Sequence, residues 1–443
     1  MTSLRRIAVL IALGAAAALN TSGASAWAAE RLSAKQRDAA LAAIKKEFRE
    51  GYVFPEMRPK IIERLDASQR AGDYDTDDAV QFADRITRDL REVSDDRHLS
   101  LRVDPTAYAA AQSEPQSAAG EDAYYRRLAE RSNHGLGEMK ILPGNLRYLR
   151  VTGFHWINDE TGAAYDAAMR FLQGGDALVI DVRNNGGGSH GAVRYLVSHF
   201  MDPDVLELSF LEGSKPPSQS RTLEYLPAGR LKGKPLYVLI NGQTASAAEA
   251  FAYDVQQFHL GELVGAKTVG AANNNKLLPI APDFILSVSY GRPQHAVSGG
   301  NWEGSGVAPD VDTPPEQALE KAQELALQRL LQAKNVDPER RRDYAWAQAG
   351  VAARLQPPAL DSGALAALAG RYRKPGSPDA IEVAQRDGVL WLALPRRPTV
   401  RLTPLTQDLF AVDGYESLRV RFVGKDLQLL WLDEAAPRVY PRE

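Results

Sequence analysis

Thr244-Ala245-Ser246-Ala247-Ala248-Glu249, read together with Asp181-Val182-Arg183-Asn184-Asn185-Gly186-Gly187-Gly188 upstream, decides the fold of this chain. Each stretch follows a short apolar run, Leu178–Val182 and Leu236–Ile240, and each opens a segment patterned as helix. Strand, tight turn and helix in that order, twice over, predict an α/β domain around a largely buried sheet. The same stretches carry chemistry. A serine at a helix start can attack a carbonyl, and a glycine turn frees backbone N–H groups to hold the resulting oxyanion.

Outward from this centre, further strands are expected at Leu146–Val151, Glu262–Val264 and Phe284–Tyr290, with helices at Ala163–Leu172, Gly191–Phe200 and Ala245–His259. Pro315–Gln332 reads as one amphipathic helix. Residues 30–125 are expected to be mostly helical, with Ala107–Ala119 a loop, and 126–335 to form the core domain. Residues 336–359, rich in arginine, alanine and proline, read as a linker. Beyond it, 360–443 alternates short strands with turn signals such as Asp387-Gly388 and Asp413-Gly414, the pattern of an antiparallel meander or small barrel. Arg5 and Arg6 before the apolar run Ile7–Leu19, then Ala24-Ser25-Ala26, have the layout of a secretory leader at 1–26, with Ala28 and Ala29 as competing cleavage points. No later run is long and apolar enough to span a bilayer, so no stable membrane insertion is expected once the leader is removed.

Composition narrows the function. A net charge of −3 without a basic block argues against nucleic acid as the main partner. The absence of cysteine excludes disulfides, a cysteine nucleophile and a lipid on an N-terminal cysteine. Neither Walker-type nor dinucleotide glycine spacing occurs, and no His-x-x-x-His or carboxylate cluster calls for a metal, so no cofactor is expected. Ser246-x-x-Glu249 also fits a capping box, in which both side chains merely satisfy helix amides. His190, just beyond the glycine turn, and His295 are further histidines to place.

The Arg183–Gly188 turn, the Thr244–Glu249 turn, Val264-Gly265-Ala266-Lys267-Thr268-Val269-Gly270 and Gly304-Ser305-Gly306-Val307-Ala308-Pro309-Asp310 together resemble the C-terminal-processing (tail-specific) serine protease family. Tyr52-Val53-Phe54-Pro55-Glu56 and Arg91–Leu99 resemble the branch related to interphotoreceptor retinoid-binding protein. The resemblance implies a ClpP/crotonase-like α/β core and a serine peptidase acting on peptide or unfolded protein, and the leader layout makes it an exported one, periplasmic or secreted. It makes Ser246 the nucleophile and gives the backbone amides of Gly187 and Ala247 the oxyanion hole. Many members pair the serine with a lysine, but the corresponding position here is Ala271; Lys267 stands earlier and Lys276 is out of register. The tricorn-like arrangement instead implies His98 as general base and Glu303 as its support, with Arg97 where that pattern carries a serine. Two rivals remain: a non-catalytic carrier of hydrophobic ligands on the same fold, and a crotonase-type acyl-CoA enzyme. Nothing in the sequence indicates the oligomeric state.

Overall fold

The structure is a computed structural model and describes residues 31–96, 98–112, 126–157, 159–212 and 215–443; the leader reading at 1–26, and Arg97, lie outside these. Three sheets organise the described residues. The six-stranded sheet runs, from edge to edge, Val311–Asp312, Glu262–Gly265, Leu236–Ile240, Ala177–Asp181, Leu146–Val151 and Leu136–Leu142. Leu236–Ile240 pairs with Glu262–Gly265 in parallel. Every residue of Ala177–Asp181 and Leu236–Ile240 is buried. Central strands covered on both faces need no alternation, which is why both read as continuous apolar runs.

The second sheet is antiparallel and is organised by one long strand, Phe284–His295. Its first half pairs with Ser100–Val103 on one side and Asn274–Ile280 on the other, and its last four residues pair with Leu208–Leu211. Helices Ala34–Gly51, Arg58–Ala71 and Ala79–Ser94 bury Ile44, Phe48, Ile61, Phe82 and Ile86 in one core with Phe284, Leu286 and Val288 of that strand. Asp78 caps the third helix by accepting from the amides of Val80 and Gln81. The helix ends where Asp95 turns left-handed at φ 54°. That stop brings the chain through Asp96 and His98 into the Ser100–Val103 strand.

The third sheet is an eight-stranded antiparallel meander from Gly370–Arg373 to Arg438–Tyr440, nearly closed by a bridge between Tyr372 and Arg442. Its interior is filled by Leu390, Leu392, Phe410, Val420 and Leu427 among others. The chain thus has a mixed α/β architecture with a helical N-terminal region and a nearly closed C-terminal β-barrel. It divides into two compact units. One contains the described residues up to Lys140, Tyr148–Gly174 and Ile180–Pro315; the other contains Ile141–Arg147, Gly175–Val179 and Glu316–Glu443. No helix among the described residues is long and apolar enough to cross a membrane.

Two segments differ from the sequence reading. Within Ala107–Ala119, read as loop, Pro105–Gln112 is helical, begun by Asp104 accepting from the Ala107 amide; residues 113–119 lie outside the described residues. Residues 337–357, read as a connector, hold the helix Pro338–Leu355. Its apolar face is mainly alanine, a weak hydrophobic signal but the best helix former, and proline at its first position starts a helix rather than breaking one. Tyr344 Oη donates to Asp176 at 2.9 Å, and the Arg419 guanidinium stacks 3.9 Å from the Trp346 ring centre, so this helix belongs to the second unit's packing.

Candidate active site

The two turns are stitched to each other. Asn184 N–H donates to Asn241 Oδ1 at 3.0 Å, Asn241 Nδ2 returns a bond to Asn184 Oδ1 at 2.7 Å, and Ala245 N–H donates to Asn185 O at 3.0 Å. Thr244 Oγ1 donates to Val182 O at 3.0 Å and fixes the end of the second strand. Between these anchors Ser246 is half-buried at φ 55°, ψ −118°. A residue with a Cβ holds that conformation only where its surroundings impose it, and such strain gathers at functional sites. The same protein contains an ordinary capping box for comparison: Ser33, paired with Gln36, sits at φ −72°, ψ 156°. Ser246 shares the motif and not the geometry.

Gly187 lies directly behind the serine. A Cβ there would stand 2.8 Å from Ser246 Cβ and 2.9 Å from Ala247 N, so no side chain fits. Its amide, however, donates to Asn185 Oδ1 at 2.9 Å, and Asn185 is oriented by its own bond to Val151 O. The Gly187 N–H is therefore engaged, a difference from the sequence reading. Among the described residues the neighbouring Gly188 N–H has no hydrogen-bond partner, nor has the Ala247 N–H, an orphan of the first helical turn. Gly188, Ser246 and Ala247 all line a cavity of about 450 Å³.

His98 and Glu303 meet. His98 Nδ1 is 3.2 Å from Glu303 Oε1 and 3.5 Å from Asp96 Oδ1, and its backbone amide donates to Asp96 Oδ1 at 2.9 Å. Burial opposes the imidazolium, but the bonds and charges of Asp96 and Glu303 outweigh it and hold the His98 pKa up to about 9. Burial likewise opposes ionisation of Asp96, which the bonds and charge of His98 overcome, leaving its pKa below the usual carboxylate value. Asp96, His98 and Glu303 each offer a ligand atom within 4.8 Å of the others, but one proton on Nδ1 accounts for that closeness.

The strip Gly270–Asn273 ties both clusters together. Glu249 is fully buried and accepts from the amides of Ser246, Gly270 and Ala271 and from the Thr268 hydroxyl. The next two amides, Ala272 and Asn273, donate to Glu303 Oε2 at 2.7 and 2.8 Å. One carboxylate thus holds the serine backbone, another faces the histidine, and four consecutive amides join them. Glu249→Ala would strand the buried Gly270 amide and Thr268 hydroxyl and the partly buried amides of Ser246 and Ala271. We expect a loss of at least about 2 kcal/mol, at about 1–3 kcal/mol for each buried unsatisfied group, read from urea unfolding midpoints. A loss near that of a single helix cap would show that these amides find other partners.

Residues 145–313 match the family model described as Peptidase family S41, and residues 31–130 match the N-terminal domain of Peptidase_S41 in eukaryotic IRBP. The chain belongs to peptidase family S41. It is 29% identical over 176 residues to a chloroplastic C-terminal processing peptidase of Tetradesmus obliquus, covering 39% of this chain and 36% of that protein. It is 31% identical over 171 residues to the tricorn protease of Thermoplasma volcanium, covering 34% of this chain and 15% of that one. The match therefore spans little more than a third of these curated relatives at most. A solved structure of a photosystem II D1 C-terminal processing protease superposes with a TM-score of 0.45 at 17% identity, covering 67% of this chain and 98% of that one.

Within this S41 chain neither Lys267 nor Lys276 has a hydrogen bond or ion pair to the serine turn among the described residues. Lys267 and Lys276 are exposed, and Lys276 Nζ sits 4.4 Å over the Tyr290 ring. Ala271 contributes backbone instead: its N–H goes to Glu249, and its carbonyl accepts from Trp302 Nε1. Sequence reasoning missed Asp96 as a partner of His98 and the wider role of Glu249. The Asp-x-His spacing that lets Asp96 accept the His98 amide was the available signal for the first.

Proposed function

We propose that this chain is an exported serine peptidase that cleaves peptide or unfolded protein through an acyl-enzyme on Ser246. The observation that carries the reading is the enforced backbone of Ser246, which lines one cavity with Ala247, whose N–H has no hydrogen-bond partner among the described residues. Ser246 Oγ attacks the carbonyl carbon while His98, in its neutral form, takes the hydroxyl proton on Nε2. The oxyanion takes hydrogen bonds from Ala247 N–H and from Gly188 N–H, in place of the engaged Gly187 amide. Collapse breaks the C–N bond, and His98 returns the proton to the leaving amine. Water then repeats the sequence on the ester. Glu303 accepts the Nδ1–H and keeps Nε2 free to act as base; the amides of Ala272 and Asn273 keep that carboxylate from rotating away.

The family match and the names of the relatives support peptide substrates, and the leader layout at 1–26 supports export. The division into helical, core and C-terminal β regions near 126 and 360 is part of the same proposal. A fluorophosphonate probe on the full chain is expected to label Ser246, identified by peptide mass mapping. Lys267→Ala and Lys276→Ala should label at rates within about twofold of the wild type, since neither lysine serves as base. No labelling of the wild type would favour the carrier of hydrophobic ligands, and loss of labelling in a lysine variant would restore a Ser–Lys dyad.

A further inference from the structure

The reaction leaves one buried polar chain unused, and it ends in the cavity beside Ser246. Asp254, on the helix that Ser246 opens, and Glu207 are both fully buried, and neither Asp254 carboxyl oxygen nor Glu207 Oε1 has a hydrogen-bond partner among the described residues. Burial, and after it the Glu207 charge, raise the Asp254 pKa far above its usual value, so Asp254 keeps its proton. The His295 ring lies on the other side of Asp254, its Nε2 3.2 Å from Asp254 Oδ1 and its Nδ1 accepting from Val297 N–H.

From Glu207 the chain runs outward. Ser220 Oγ donates to Glu207 Oε2 at 3.0 Å, and His190 Nε2 lies 2.8 Å from Ser220 Oγ. The single Ser220 proton is committed to Glu207, so Ser220 can only accept from His190. The His190 proton therefore sits on Nε2, and burial holds the ring neutral by lowering its pKa. The lone pair of Nδ1 has no hydrogen-bond partner among the described residues, on a ring that lines the cavity and is 26% exposed. The bonds from His190 to Ser220 and from Ser220 to Glu207 thus fix one tautomer and leave Nδ1 an unpaired acceptor on a ring that lines the cavity. The remaining walls include Leu208, Phe210, Tyr290, Pro293 and Trp302. Among the described residues the one carboxylate there, Glu212, is paired with Lys215 at 2.8 Å.

We propose that His190 is a specificity-determining residue: the cavity takes the side chain on the acyl side of the scissile bond, and His190 Nδ1 selects there for a bulky apolar side chain tipped with a hydrogen-bond donor, tyrosine above phenylalanine. The inference rests on the serine peptidase reading. A peptide mixture digested by the full chain and read by mass spectrometry identifies the residue on the acyl side of each cut. One cleaved peptide is then remade with tyrosine, phenylalanine, O-methyltyrosine or lysine at that position. Tyrosine should exceed phenylalanine and O-methyltyrosine by about 5- to 10-fold in kcat/KM, the effect of one neutral hydrogen bond made to an otherwise unpaired acceptor. His190→Phe and Ser220→Ala should both bring the tyrosine-to-phenylalanine ratio down to about one. O-methyltyrosine matching tyrosine, a preference for lysine, or an unchanged ratio in His190→Phe overturns the inference while leaving the peptidase intact. Absence of both turnover and fluorophosphonate labelling overturns the peptidase reading and the inference together.

Discussion

Ser246→Ala is expected to abolish peptide hydrolysis, and Ser246→Gly to abolish it while making the protein more stable. The first outcome follows from chemistry. Without a nucleophile the proposed route has no acyl-enzyme, and comparable losses are on the order of 10⁴- to 10⁶-fold in kcat. The second follows from the backbone. At φ 55°, ψ −118° a Cβ costs about 1–3 kcal/mol, which glycine does not incur. The greater freedom of glycine in the unfolded chain offsets about 0.5–1 kcal/mol of that gain. A net rise of about 1 kcal/mol should appear as a higher Tm in calorimetry. A serine that served only as a cap behaves differently on both counts. Its alanine variant loses about 0.5–2 kcal/mol and keeps its activity, and its glycine variant gains nothing. Ser33→Ala is the internal control, because Ser33 holds the ordinary cap geometry with Gln36. If Ser246→Gly melts lower than the wild type, the strain argument fails even where activity is lost.

What the sequence made legible here was covalent and local. Strands Leu146–Val151 and Leu236–Ile240 stand where their apolar runs place them, and so do the two turns that follow Ala177–Asp181 and Leu236–Ile240. Ser246, His98 and Glu303 could be singled out because each has a distinctive side chain within a recognisable pattern. The bonds that position them were not legible, because their partners are backbone amides. Every residue other than proline carries an N–H, so nothing in the letters at 270–273 distinguishes amides that hold Glu249 from amides that hold Glu303. The Gly187 amide illustrates the converse. Its proximity to Ser246 could be anticipated from the glycine run, but its capture by Asn185 Oδ1 depends on an Asn185 rotamer set by Val151 O, more than thirty residues upstream. The Pro338–Leu355 helix escaped for a third reason. Its buried face, Tyr344, Ala347, Val351 and Ala353, offers too little apolar contrast to register as a period, although Asp337 and Pro338 gave the start signal.

The activity of this chain is expected to rise with pH through about 9, and its stability to fall over the same range. Both follow from the two carboxylates that face His98. Catalysis as proposed needs the neutral imidazole, while Asp96 and Glu303 favour the charged form and hold its pKa at about 9. The limb of kcat/KM against pH, which reports the free enzyme, should therefore lie near 9 rather than near neutrality. A folded-state pKa above the unfolded value near 6.5 means the folded protein binds the proton more tightly. The stabilisation is fully present below about pH 6.5 and is lost as pH rises through 9, amounting to about 3 kcal/mol for this one group. Urea midpoints measured between pH 6 and 10 would record it, and the His98 ring resonance would titrate in parallel. Glu303→Ala removes one of the two carboxylates and should move the limb to lower pH. Glu303→Gln, although closer in shape, should be the more damaging of the two. The amides of Ala272 and Asn273 require an oxygen, so the glutamine must turn its NH₂ toward His98 Nδ1. Nδ1 then becomes the acceptor, the ring proton shifts to Nε2, and the base is blocked. A wrong tautomer in an otherwise intact triad lowers kcat by about 10⁴-fold. Equal activity in the two variants, or a limb near pH 7 in the wild type, would mean that Glu303 does not set the charge and tautomer of His98 in solution.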